Sequence, residues 1–145
     1  MLTIVEKVIV LQDIDIFEHT LTEDLAHIAT ITEEIDIPKE KVVFTEDDIP
    51  DAMYMVIEGS VRLEREGQEV MVVGNKEVFG SWALFDDEPR VVTATTVEDC
   101  SLLRIDKEDF IDLLADHVQI TRSVLKTMVK RLRNLMTRVA SRGTA

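Results

Sequence analysis

Apolar positions change their period twice along the chain. In "LTEDLAHIATITEE", Leu21, Leu25, Ile28 and Ala29 recur at helical spacing, with Thr22 placed to cap and Glu23 and Asp24 in the first turn. This predicts a short amphipathic helix within a helical start. From Glu34 to Ile105 the pattern shortens into β-rich runs: "KVVFT", "AMYMVIE", "SVRLERE", "QEVMVV", "VVTATTV" and "SLLRI". Turn chemistry separates them at "DDIPD", Gly59, "EGQ", "GNKE" and "EDC". Val61 and Leu63 alternate with Arg62 and Glu64, the period of a half-buried strand. Several short strands at this spacing predict an antiparallel barrel or roll rather than a parallel sheet with crossover helices.

After Ile105 the helical period returns. Asp106 caps "KEDFIDLLADH", where Phe110, Leu113 and Leu114 share a face, and a longer helix is predicted from about Gln119 to Ala140. Along it Val118, Thr121, Leu125, Met128, Leu132, Leu135 and Val139 form a heptad stripe. Two roles fit the stripe: covering the roll, or joining two chains as a parallel helix pair. A stripe of this length has room for both, one end on each. The organisation is a single unit, 1–145, with N-terminal helices over 1–33, a β-roll over 34–105 and C-terminal helices over 106–145. No internal repeat, low-complexity tract or linker interrupts it.

Bulk properties set limits on this plan. A chain of 145 residues fits one compact domain, long enough to bury roughly 68–70% of its unfolded surface. The single Cys100 has no partner for an internal disulfide, and no basic, apolar, small-residue signal pattern opens the chain. Both predict an intracellular, cytoplasmic protein. The longest purely apolar runs are a few residues, against about 20 for a membrane-spanning helix. Net charge is −13, unevenly spread: all 29 acids and nine of the 16 bases precede residue 117, giving −20, and the seven bases after it give +7. An acidic body disfavours direct nucleic-acid binding, and the basic helix reads first as a solvated face. Only five residues follow Ala140, so no helix-turn-helix is expected after the long helix.

Catalytic constellations are sparse. His19, His27 and His117 lie outside the strand region with no His-x-His or His-x-x-x-His spacing, so no metal site is expected. Cys100, just before an apolar strand, reads as a small core residue. The adjacent acids Asp47–Asp48 and Asp86–Asp87 lie in loops with no partner to split their pKa values. A binding module, not an enzyme, is the expectation.

One stretch invites a sharper reading. In "FGSWALFDDEPRVV", residues 79–92, Arg90 follows three consecutive acids after a Phe-Gly that looks like the turn into a short helix. A phosphate pocket and a solvated loop both fit. Continued to "FGSWALFDDEPRVVTAT", it resembles, without gaps, the phosphate-binding cassette of cyclic-nucleotide-binding domains, as in catabolite activator-type regulators and kinase regulatory subunits. Upstream, "FTEDDIPDAMYMVIEGSVRL" is similar to a second element of that family at Phe44, Asp48, Asp51, Met53, Tyr54, Gly59 and Val61. The resemblance covers nearly the whole chain. It implies a mainly β fold, an antiparallel β-roll (a double-stranded β-helix, jelly-roll-like) with N-terminal helices and two C-terminal helices. It also implies a ligand site at Phe79, Gly80, Ser81, Trp82, Ala83, Leu84, Pro89, Arg90, Val91, Val92 and Thr93. The implied ligand is cAMP or cGMP; no cofactor and no metal are expected.

The implied chemistry is physically coherent. A cyclic phosphate is a compact anion suited to one guanidinium making paired charged hydrogen bonds, together with backbone amides at a helix start. Arg90 and the "GSWALF" turn supply these, Gly80 lets the backbone approach, and Ala83 keeps the phosphate side clear. Departures from the family pattern sit beside them. Ser81 stands where the family has a Glu that accepts from the ribose 2′-hydroxyl, and it is shorter by two bonds of about 1.5 Å. Losing that charge-assisted contact is worth roughly 1.5–3 kcal/mol, ten- to a hundredfold in affinity. Val91 and Val92 bring β-branched bulk after the arginine, and Asp86, Asp87 and Glu88 add screened negative potential. Asp47 replaces a family glycine in a left-handed turn that Asp tolerates. Trp82 and Phe85 read as core side chains, with an aromatic face near a purine as the alternative for Trp82.

Three readings follow: a sensor whose ligand moves the C-terminal helices, a degenerate member acting as a dimerisation or docking module, or a module for an unrelated ligand. A homodimer through Leu125, Met128, Leu132, Leu135 and Val139 is expected in the first two. The opening "MLTIVEKVIVLQDIDIF" resembles the lead-in carried by such domains in larger bacterial proteins, so the chain is expected to be part of, or docked to, a larger protein.

Overall fold

The computed structural model describes residues 1–144, with side chains through 141; Ala145, the end of the predicted helical segment, lies outside the described residues. Eight strands form two four-stranded antiparallel sheets, and helices pack on one of them. Helix α1 is Ile4–Leu11, closed at its start by a capping box between Thr3 and Glu6. A single 3₁₀ turn, Asp15–Phe17, leads to α2, Thr22–Thr30. Here Leu21, not Thr22, holds the cap position, and no side chain caps the helix. The hydroxyl of Thr22 falls one residue too late, inside the first turn.

The strands are β1 Thr32–Ile37, β2 Val42–Phe44, β3 Ala52–Glu58, β4 Val61–Arg65, β5 Gln68–Val73, β6 Val78–Phe79, β7 Thr93–Thr96 and β8 Cys100–Asp106. One sheet runs β1-β8-β3-β6 and the other β2-β7-β4-β5. The antiparallel roll is as the sequence pattern predicts, with two strands it does not name, β1 and β6. β1 reads "TEEIDI", too acidic to announce itself, and pairs with β8 from Thr32↔Ile105 to Ile37↔Cys100. β6 is two residues long and is fixed by pairing with β3, Phe79 with Tyr54 and Val78 with Met55.

Strands β3 and β8 are buried on both faces, and this divides the interior. Met53, Met55, Leu103 and Ile105 point to the helices and join Leu11, Phe17, Leu25, Ile28 and Phe110 in one cluster. The alternate residues Ala52, Tyr54, Val56 and Leu102 point between the sheets, against Phe44, Val61, Leu63, Val73 and Ala94. The strand period of two thus makes two cores from one pair of strands. Cys100 is buried in the inter-sheet core, and burial pushes its thiol pKa up, consistent with a packing role.

The last two helices are α3, Lys107–Asp116, capped by the Asp106 carboxylate on the Asp109 amide at 3.1 Å, and α4, Val118–Thr144. Helix α4 splits the predicted stripe. Ile120, Val124 and Thr127 are buried and Met128 packs on the helical core, whereas Val118, Leu125, Leu132, Leu135 and Val139 are exposed. The face covering the roll is therefore offset from the stripe by about one residue, because the apolar surface is wider than one heptad seam. Ion pairs Lys130–Glu18 at 3.5 Å and Arg131–Asp15 at 3.3 Å close the docked segment, and residues 132–141 are exposed throughout. Among the described residues no helix is long and apolar enough to cross a membrane.

Ile120 anchors α4, with no solvent exposure. Truncating it, Ile120→Ala, is expected to cost about 2–5 kcal/mol through lost contacts and a residual cavity. A urea-unfolding midpoint unchanged from wild type would show that α4 does not dock through this face.

Candidate functional site

The cassette begins where β6 ends. Phe79 is buried against Tyr54 and Phe44, with ring centroids at 5.3 and 5.9 Å. Gly80 follows at φ 71, in the left-handed region, and starts a second 3₁₀ turn, Ser81–Leu84. Glycine is required here on two counts. A Cβ at position 80 would lie 2.6 Å from Arg90 Nη1, and the positive φ strains any residue carrying one. The turn is too short to carry a helix macrodipole, so whatever it offers an anion is limited to individual backbone amides.

Arg90 is the centre of the candidate site and is buried, with 7% of the residue exposed. The segment 47–48 fixes its backbone through Asp47 N to Arg90 O at 2.8 Å and Arg90 N to Asp48 O at 2.9 Å. Asp47 takes a φ of 72, the left-handed conformation expected of the residue that replaces glycine. The guanidinium lies over the Phe44 ring, Cζ to centroid 3.9 Å. It donates to Ala52 O at 2.7 Å, to Gly80 O at 3.3 Å and to Asp51 Oδ1 at 3.3 Å. Nε is buried and has no hydrogen-bond partner. Desolvation by burial pulls the Arg90 pKa below the ordinary arginine value, partly offset by Tyr54 and Asp51. The result is a desolvated cation whose Nε has no partner and whose carboxylate partner, Asp51, is exposed.

Asp51 is shared. Its second oxygen accepts from Arg104 Nη2 at 3.4 Å, and Arg104 also donates to Asp106 at 3.4 Å. Arg104 is brought there by β-register, opposite Tyr54. For Arg104, burial acts to lower the pKa, but Tyr54, Asp51 and Asp106 outweigh it and the net shift is upward. Sequence reading gave Asp51 no role beyond its place in a motif and did not single out Arg104.

The other predicted residues divide. Gly80 meets Arg90, Phe79 packs in the inter-sheet core and Leu84 in the helical core, and Ala83 is buried, with Ser81 half-buried at the turn. Val92 and Thr93 are half-buried, Val92 against the inter-sheet core and Thr93 accepting from the Glu46 amide at 3.0 Å. Pro89 and Val91 face solvent. Trp82 was expected in the core but is 71% exposed. The tight turn after Gly80 turns Ala83 and Leu84 inward and leaves position 82 outside. Phe85 was also expected in the core and is 40% exposed, one edge packed on Phe110 at 5.9 Å and 88°. Lys107 Nζ donates to the Asp86 carbonyl and the Asp87 carboxylate, which holds part of the acidic run against the start of α3.

A profile described as "Cyclic nucleotide-binding domain" matches residues 34–117, from within β1 through α3. The chain belongs to the cyclic nucleotide-binding domain family. A curated relative, the "CRP-like cAMP-activated global transcriptional regulator" of Mycobacterium tuberculosis, is 28% identical over 123 residues, covering 81% of this chain and 55% of the relative. The chain thus spans about half the length of that relative. The N-terminal domain of a transcriptional regulator from Streptomyces coelicolor A3(2) superposes with a TM-score of 0.81 at 28% identity, covering 87% of this chain and 94% of that one. The regulatory domain of Toxoplasma gondii PKA, solved with cAMP, superposes at 0.69 with 26% identity, covering 74% and 42%.

Within this cyclic nucleotide-binding domain, Gly80 couples the turn to the arginine. Gly80→Ala is expected to cost about 1–3 kcal/mol from the left-handed backbone alone, and to displace the guanidinium. Equal urea stability and an unchanged amide spectrum around Arg90 would show that the turn relaxes without strain.

Proposed function

We propose that the chain is a non-catalytic regulatory sensor module that binds the cyclic phosphate of cAMP or cGMP at Arg90 and relays occupancy to α3 and α4. The observation that carries this reading is the Arg90 guanidinium, buried on an aromatic floor with Nε unfilled, two backbone carbonyls as partners and the exposed Asp51 as its one acidic partner. An ion pair to an exposed carboxylate is worth about 0–1 kcal/mol, so an incoming phosphate competes with it readily. A bidentate guanidinium–phosphate contact supplies more, because both partners are charged and the geometry is planar. Val91 is exposed.

The relay runs through two contacts between cassette and α3: Phe85 on Phe110, and Lys107 on the 86–87 loop. A ligand that draws the cassette towards Arg90 pulls on both, and shifts the helices only as far as it binds one arrangement better than the other. The exposed stripe Leu125, Leu132, Leu135 and Val139, widened by Val129 and Met136, is read as the seam with a second copy. Met128 belongs to the roll instead. With −20 on the first 116 residues the module does not contact DNA itself; its output lies in another segment or partner. We place it in the cytoplasm, where buried Cys100 stays reduced.

A second reading, a degenerate module that docks or dimerises without nucleotide, is favoured by Ser81, too short for the family's contact to the ribose hydroxyl. Calorimetric titration with cAMP and cGMP separates the two. Sensor function predicts saturable binding by wild type, loss in Arg90→Ala, and roughly ten- to a hundredfold tighter binding in Ser81→Glu. Silence from both wild type and Ser81→Glu would sink the sensor reading. For the seam, sedimentation equilibrium should give a dimer that Leu132→Glu reduces to monomer; a wild-type monomer overturns that assignment.

A further inference from the structure

Two apolar surfaces are left uncovered by the fold, and they lie on elements of opposite charge. One is the far part of α4, where Leu132, Leu135, Met136 and Val139 are exposed. The other is a groove of about 590 Å³ between α1 and the start of α2, lined chiefly by Ile4, Val5, Val8, Leu21 and Ala26, with Glu23 as its charged residue. Ile4, Val5 and Leu21 are themselves exposed. Helix α4 carries seven Lys or Arg and no acid. Residues 1–31, which hold both walls of the groove, carry six acids and one lysine, a balance of −5. Within the chain these two charge sets already attract: Lys130 pairs with Glu18 and Arg131 with Asp15. Residues 132–141, one step further along α4, are exposed throughout.

We propose that the far half of α4 in one copy seats in the α1–α2 groove of a second copy, and the reverse, giving a two-fold pair. The pairing rests on the seam with a second copy proposed above and names the surface that the seam meets. Two-fold symmetry makes each contact twice, helix on groove and groove on helix, so one operation covers both apolar surfaces. The dimensions agree: residues 132–141 extend about 15 Å as helix, and the eight residues of α1 about 12 Å. At about 100° per residue, Leu132, Leu135, Met136 and Val139 form one stripe, and Arg133 and Arg138 fall about 110° to either side of its centre. Their long side chains reach past the apolar contact towards the acidic charge around the groove, Glu23 included. A parallel α4–α4 pair fits less well. It sets seven bases beside seven at an interaxial distance of about 8–10 Å, comparable with the Debye length at physiological salt. It also leaves the groove in water.

Sedimentation equilibrium on the full chain without nucleotide tests the pairing. Wild type should dimerise, and Val5→Glu and Leu21→Glu, each on an exposed groove residue, should raise the dimer Kd roughly tenfold or more, as expected for Leu132→Glu. Glu23→Arg should weaken the dimer as well, because it sets a base against the basic helix of the second copy. Circular dichroism of the three groove variants should match wild type; Leu21 and Glu23 decide the matter if Val5→Glu disturbs α1. A wild-type dimer that Leu132→Glu breaks and the groove substitutions leave untouched overturns the groove and keeps the seam, as a parallel helix pair. A wild-type monomer overturns both.

Discussion

The structure depends on one buried cation. A guanidinium taken out of water costs several kcal/mol unless its donors are filled, and Arg90 meets that need in part with backbone, Nε remaining without a partner. Ala52 at the start of β3 and Gly80 at the end of β6 give carbonyls, and Phe44 gives a ring face. Satisfying one side chain therefore fixes the relative positions of β2, β3 and the cassette turn. The same requirement explains the glycine: only a residue without Cβ lets the turn come close enough to be a hydrogen-bond partner.

Strands β3 and β8 extend this constraint to the helices. Their alternation puts Tyr54 and Leu102 between the sheets and Met55 and Leu103 under α1, α2, α3 and α4. Both cores share the same two backbones, and under the proposed sensor reading a displacement at the Arg90 end would reach the helical layer through them. Packed interiors transmit such shifts because they have little free volume. The Phe85–Phe110 and Lys107 contacts add a direct link on the surface.

The helical layer is asymmetric in how firmly it is held. Ile120 and Val124 are buried, then two ion pairs to the 15–18 turn end the docked part of α4. Beyond residue 131 the helix keeps an apolar stripe that this chain does not cover. A 27-residue helix held by its first half is suited to carry a signal, since a small rotation near Val118 becomes a large displacement at its far end.

Much was legible in the chain itself because it is local. Alternation at Val61–Glu64, the Asp106 cap and the spacing of Phe79, Gly80 and Arg90 depend on neighbours in sequence, and each lies where the pattern places it. Three things were decided only by the tertiary structure. Trp82 is outside because the turn direction after a left-handed glycine, not hydrophobicity, sets which side chains point inward. Met128 leaves the open stripe because the roll, not the heptad count, selects the face of α4 that is covered. His27 and His117, 90 residues apart, become neighbours because one side of α2 packs beside the joint between α3 and α4. Sequence periodicity fixes which faces are apolar and where elements begin; it carries no record of distances between elements, and those are set by how two cores pack around one pair of strands.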